Sequence, residues 1–223
     1  LLNKCALETY VCRLAGRKME PTWGVNLEIG VRYVRRQFTR AMNVSDMKRG
    51  RAIFESLLLE TSDFYAVDRV AVENPKGTWH IPRIRTCKAT IFYCHGGGYA
   101  FHSGVSRRFA DMLAHHTGAP LFAPDYRLTP EHPHPAQAED ALAAWRHVTE
   151  TCAPQGTVVI GDSAGGHMML MLLQTLKSAG QQQPALGIGL CPWTDIGDRG
   201  ASLHANDRYD LVQGWMALRF GQW

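Results

Sequence analysis

Four short apolar runs, ATIFYC (89–94), PLFAP (120–124), TVVIG (157–161) and LGIGLC (186–191), recur along the chain with helical stretches between them. No other feature constrains the fold as tightly. Runs this short and this continuously apolar fit strands that are covered on both faces. The intervening segments, roughly 106–116, 136–149 and 164–178, have the length of a helix that crosses back over a parallel sheet. The expected architecture is α/β, a mostly parallel sheet with helices on both faces. Ligands in such sheets bind beyond the carboxyl ends of the strands. With 223 residues, of which 45% are hydrophobic, the chain has room for one large α/β core, burying roughly 70% of its unfolded surface.

Flanking segments read differently. From residue 2 to 42 the pattern is helical, with Trp23, Leu27, Val31, Val34, Phe38 and Met42 at three- and four-residue spacing, which suggests an amphipathic pair of helices. Beyond Phe64, two β-rich runs at 66–72 and 79–85 flank Asn74-Pro75-Lys76-Gly77, whose turn chemistry predicts an antiparallel hairpin at one sheet edge.

Charge and cysteine content narrow the function classes. The formal net charge of +4 is small for this length, and no Lys/Arg cluster interleaved with aromatics suggests a nucleic-acid groove. Arg35-Arg36 and Arg107-Arg108 read as solvated helix faces. No apolar run approaches the roughly 18 residues of a membrane span, so no stable membrane insertion is expected. At the N-terminus, Lys4, Glu8 and Arg13 interrupt the apolar core that a signal peptide needs, and a helix is the better reading. Cys5, Cys12, Cys87, Cys94, Cys152 and Cys191 include no Cys-x-x-Cys pair and no zinc-type spacing with histidine. They read as unpaired thiols of a reducing compartment, which points to a cytoplasmic location.

Candidate chemistry sits at the strand ends. Gly161-Asp162-Ser163-Ala164-Gly165 lies between a β-rich run and an apolar helix, which is the G-x-S-x-G pattern in the strand–turn–helix setting its mechanism demands. A Cβ at either outer glycine would clash in so sharp a turn. The turn would hold the Ser163 hydroxyl at the top of the sheet, at the positive end of a helix. A glycine-bounded turn with Ser163 as an ordinary N-cap is the competing reading. His95-Gly96-Gly97-Gly98 follows another strand directly, and successive glycines allow backbone N–H groups to converge as an oxyanion hole requires. Gly97, Gly98 and Ala164 are the natural donors. A phosphate cradle competes, although the run lacks the Gly-Lys-Ser/Thr ending of a P-loop and the G-x-G-x-x-G of a dinucleotide site. The third segment, DYRLTPEHPHP (125–135), reads by itself as a proline-stiffened loop with internal charge pairs.

Taken together, HGGGYAFHSG, DYRLTPEHPHPA, EDALAAW, GDSAGG and CPWTD, in that order over 91–195, resemble the hormone-sensitive-lipase-type esterases of the α/β-hydrolase fold, also called bacterial family IV. The resemblance implies a carboxylesterase acting on short- to medium-chain acyl esters, with a small-molecule ester as substrate and no metal or organic cofactor. It implies Ser163 as nucleophile, with Gly97, Gly98 and Ala164 as the oxyanion hole. His95, Asp162 and the loop from Tyr126 to Glu131 would support the site, and Thr129 stands where the family more often has alanine. Residues 1–50 would form an N-terminal helical cap segment, and 51–223 the α/β-hydrolase core.

The family's triad runs in the chain order Ser, then Asp or Glu, then His, on loops after later strands. Downstream of Ser163 the only histidines are His167, one turn into the same helix, and His204, in a loop; neither fits the base. Asp195 ends a strand but reads better as a loop or N-cap aspartate than as the acid. LVQGWMALRFGQW (211–223) sets Leu211, Trp215, Leu218 and Phe220 on a helical pattern. The chain is therefore read as a C-terminally truncated esterase, with its last strands, acid and base expected beyond residue 223 and its own turnover weak or absent. An incomplete sheet edge would favour a homodimer or other association. Two further readings are a noncatalytic small-ligand-binding relative of the same fold, as in plant gibberellin receptors, and an interaction module using its apolar edge.

Overall fold

The computed structural model describes residues 1–57, 64–197 and 200–223. The chain forms two compact units, Leu1–Leu58 with Asp195–Gln222, and Leu59–Thr194 with Trp223.

The larger unit is built on a six-stranded sheet in the order β1-β2-β4-β3-β5-β6. Its strands are β1 (Val67–Glu73), β2 (Lys76–Pro82), β3 (Thr90–Cys94), β4 (Leu121–Pro124), β5 (Thr157–Asp162) and β6 (Leu186–Leu190). The first two pair antiparallel with each other, and β2 also pairs antiparallel with β4. From β4 through β3 and β5 to β6 every pairing is parallel. All four runs that open the sequence reading are the parallel strands.

Alternation along these strands feeds two cores. Phe92, Cys94, Phe122 and Val159 point to one face, where they pack against Ala144, Trp145, Met168 and Leu172. Those partners come from α5 (Ala136–Thr149) and α6 (Ala164–Ser178). On the other face Ile91, Tyr93, Leu121 and Ile160 meet Ala110 and Ala114 of α4 (Gly104–Thr117). The sheet is thus covered on both faces, which is why β3 and β4 are buried at every residue. Trp145 stands edge-on to Phe92 at 5.8 Å between centroids, and burying aromatics of this size contributes roughly 1.5–3 kcal/mol each.

The edge hairpin departs from expectation. Glu73 pairs with Lys76, so the turn is the two residues Asn74-Pro75, and β2 begins three residues earlier than the composition suggests. Gly77 belongs to the strand because a Cβ there would meet the Phe122 ring at 2.5 Å and the Ala123 carbonyl at 2.9 Å. Its role is packing under the neighbouring strand, not turning.

The smaller unit contains α1 (Leu2–Leu14), α2 (Val25–Met42), α3 (Met47–Glu55), α7 (Ala201–Ala205) and α8 (Gly214–Gln222). The leading pair of helices is present, and α3 is an addition that its nine residues hide from a periodicity count. Asp46 caps it, accepting from the Lys48 N–H at 2.9 Å. At the centre of this unit Glu28 is fully buried, bound by Arg13 at 2.8 Å and Arg32 at 2.9 Å. Burial pushes the Glu28 carboxyl up, but bonds from Arg32, Arg13 and the Met19 N–H outweigh it and hold the group below the usual carboxylate range. Tying the C-terminal helices to the leading ones, Arg219 donates to the Met42 carbonyl at 2.7 Å and Gln213 to the Thr39 hydroxyl at 2.9 Å.

Candidate active site

Parallel pairing sets Cys94 of β3 beside Gly161 of β5. The segments that leave these strands, 95–98 and 162–165, are therefore neighbours at the carboxyl edge of the sheet. Ser163 begins α6 with φ 52° and ψ −119°, a left-handed φ that few side-chain-bearing residues adopt. It occupies the N-cap position, yet its hydroxyl makes no capping bond. The turn is fixed by its backbone instead: the Ser163 N–H donates to the Leu190 carbonyl at 3.0 Å, and the Ser163 carbonyl accepts from Trp193 at 2.9 Å.

Both outer glycines of the elbow are required by close approach. A Cβ on Gly161 would collide with the Gly165 carbonyl, and one on Gly165 with the carbonyls of Cys94 and His95. This second contact brings the helix start against the glycine loop. Gly97 and Gly98 carry φ of 114° and 61°, and Tyr99 continues at 62°. The loop then closes on itself, the Ala100 and Phe101 N–H groups donating to the Gly97 carbonyl at 3.1 and 3.0 Å. Among the described residues, the N–H groups of Gly97, Gly98 and Ala164 have no protein acceptor.

Buried and half-buried groups hold that loop from both sides. The Asp162 carboxylate accepts from the Tyr93 hydroxyl at 2.6 Å and from the Gly96 N–H at 2.8 Å. Burial first, and then the Asp162 charge, push the Tyr93 hydroxyl far above its ordinary pKa, so it stays a donor. His95 is 1% exposed, and its Nδ1 lies 2.7 Å from the Gly96 carbonyl, a contact that requires the proton on Nδ1. Tyr126 lies parallel to the His95 ring at 4.1 Å and donates its hydroxyl to the His95 carbonyl at 2.6 Å. Burial drives the His95 pKa well below the ordinary imidazole value, so the ring is neutral. Within the following loop, Arg127 is bound by Asp140 and Glu139, and Thr129 reaches back through its N–H to the Tyr99 carbonyl at 2.9 Å.

The downstream candidates divide between the two units. His167 lies one turn along α6, its Nδ1 2.7 Å from the Tyr99 hydroxyl; burial, and then His134, lower its pKa. Asp195 and His204 belong to the smaller unit, where Asp195 accepts from the Gly197 N–H at 3.0 Å inside its own loop. Sequence reasoning missed the Tyr99–His167 bond and the Tyr126 ring stacked on His95. Their partners are 68 and 31 residues apart, so no local pattern announces them.

A serine elbow facing a glycine loop across the carboxyl edge of a mixed, mostly parallel sheet defines the α/β-hydrolase fold. A family model described as alpha/beta hydrolase fold matches residues 91–220. An acetyl-hydrolase of Streptomyces hygroscopicus is 40% identical over 137 residues, 60% of this chain and 46% of that protein. An ethyl acetate hydrolase of Pseudomonas putida is 36% identical over 122 residues, 52% of this chain and 38% of that one. Among solved structures, an esterase from the bacterial hormone-sensitive lipase family superimposes with TM-score 0.73 at 28% identity, covering 86% of this chain and 67% of that one. The chain belongs to the α/β-hydrolase family, in its hormone-sensitive-lipase branch. It matches less than half the length of these curated relatives.

Proposed function

We propose that the protein is a serine carboxylesterase that hydrolyses short- to medium-chain acyl esters through an acyl-enzyme on Ser163. The observation that carries this reading is the Ser163 hydroxyl, held on a left-handed residue at a helix N-cap and not used as a cap. An ordinary capping serine would spend its oxygen on the N–H of the second or third helical residue. Names of the relatives, acetyl-hydrolase and ethyl acetate hydrolase, support the substrate class.

In this mechanism the Ser163 oxygen attacks the ester carbonyl carbon and passes its proton to a histidine base. Charge gathers on the former carbonyl oxygen, where the N–H groups of Gly97, Gly98 and Ala164 donate to it without reorganising. The start of α6 adds the positive end of the helix dipole. Collapse expels the alcohol, and water releases the acid from the acyl-enzyme. Asp162 and His95 hold the donors in place by gripping the N–H and the carbonyl of Gly96. The base is not assigned to His95, which is buried beneath the loop, nor to His167, which lies one turn along the helix that Ser163 begins. The reading takes acid and base from later in the family's chain order.

The test compares the chain with Ser163→Ala for hydrolysis of p-nitrophenyl butyrate and for covalent capture of a fluorophosphonate. Capture at Ser163 that the variant abolishes supports the reading. Equal behaviour of the two proteins, in the chain and in a form extended to its relatives' length, would refute it.

A further inference from the structure

His102 ends the glycine loop and has no part in the chemistry proposed above. Its ring lies parallel to His95 at 4.1 Å and 13°, on the face opposite Tyr126, so His95 is the middle of a three-ring stack. The loop's own turn onto the Gly97 carbonyl brings residue 102 back over residue 95. What anchors it there is Asp125, whose carboxylate lies 3.2 Å from His102 Nδ1. Asp125 directly precedes Tyr126, so one point at the end of β4 holds both outer rings.

We propose that His102 is a positioning residue for the backbone 95–98, clamping the His95 ring through its charge pair with Asp125. The inference rests on the esterase reading for its catalytic consequence. Without the clamp, Gly97 and Gly98 have no side chains to limit them, and their N–H groups lose a common direction. The clamp is strongest with His102 protonated, because a charge-assisted bond to a carboxylate is roughly twice as strong as a neutral one. Against the imidazole lie His95, just after β3, and Asp125, just after β4; Arg107 of α4, His80 of β2 and Tyr93 of β3 line the same small cavity of about 10 Å³, and Tyr126 is separated from it by the His95 ring. His80 is itself held by Asp111 at 2.7 Å. Of the stacked imidazoles, His95 is buried, whereas His102, 19% exposed, is the one that stands beside a carboxylate.

The experiment is amide hydrogen exchange of the full chain at the hydrogen-bonded amides of the loop, Gly96, Ala100 and Phe101, between about pH 6 and pH 8, the range in which histidine titrates, corrected for intrinsic rates. His102→Phe keeps a ring on the stack without the pair, and Asp125→Asn keeps the pair's shape without its charge. Protection in the wild type should fall about tenfold as pH rises, the size of a one-unit linkage. Both variants should show low, pH-independent protection. The rate of fluorophosphonate capture at Ser163, divided at each pH by that of His102→Phe so that the titration of the base cancels, should follow the same pH profile, with the half-saturating probe concentration unchanged. A flat wild-type profile, or variants that match the wild type, would overturn the role of His102. pH-dependent exchange without capture at Ser163 in the chain and its extended form would overturn the esterase reading alone.

Discussion

Removing the Asp162 carboxylate strands two donors at once. The Tyr93 hydroxyl, on a side chain 1% exposed, and the Gly96 N–H both lose their acceptor, and each unsatisfied buried donor costs about 1–3 kcal/mol. Asp162→Ala should therefore destabilise the sheet unit by about 4 kcal/mol. Tyr93→Phe removes one bond to a carboxylate and leaves the Gly96 bond in place, for a loss of about 2 kcal/mol. In the double variant no hydroxyl is left stranded, so the loss should be about 3 kcal/mol, well short of the sum of 6 kcal/mol that independent sites would give. Urea unfolding followed by circular dichroism measures all three. A Tyr93→Phe loss under about 0.5 kcal/mol, or additive behaviour in the double variant, would refute the claim that Asp162 satisfies both groups together.

Two more expectations are open to measurement. Because His95 is held neutral in the folded chain, the unfolded chain binds more protons below its ordinary pKa of 6.5, and stability should fall as pH drops from there. The slope is about 1.4 kcal/mol per pH unit for this one group, with half-buried His167 adding in the same direction, and it should appear in unfolding free energies between about pH 6.5 and 5. Glu28→Gln leaves two arginines facing a buried neutral amide, and should cost the helical unit about 3 kcal/mol in urea unfolding at neutral pH, with the difference shrinking as acid protonates the wild-type carboxyl.

What the sequence made legible follows the range of the forces involved. Buried parallel strands announce themselves through continuous apolar runs, and all four are found within one residue of the predicted bounds. Ser163 and the glycine loop were visible because each is a local backbone requirement, a turn or a close approach that only certain residues meet. The stack of His102, His95 and Tyr126 was not visible. It exists because β3 and β4 are adjacent and parallel, and adjacency is a property of the sheet order, which no run of residues encodes locally. Glu28 escaped for a related reason: a carboxylate at helical spacing looks solvated until the Arg13 of another helix is brought to it. Gly77 misled, since a glycine that makes room for a neighbouring ring resembles one that makes a turn.

The left-handed backbone of Ser163 also bears on how the role proposed for it can be interrogated. A side chain at φ 52° costs the fold of order 1 kcal/mol that glycine would not. Folding alone, then, would be better served by glycine at this position than by any residue carrying a nucleophile. A glycine variant conflates the loss of the hydroxyl with relief of the backbone, and can come out more stable and more mobile at once. Alanine keeps the constraint while deleting the oxygen, which makes it the substitution whose effects can be assigned to chemistry.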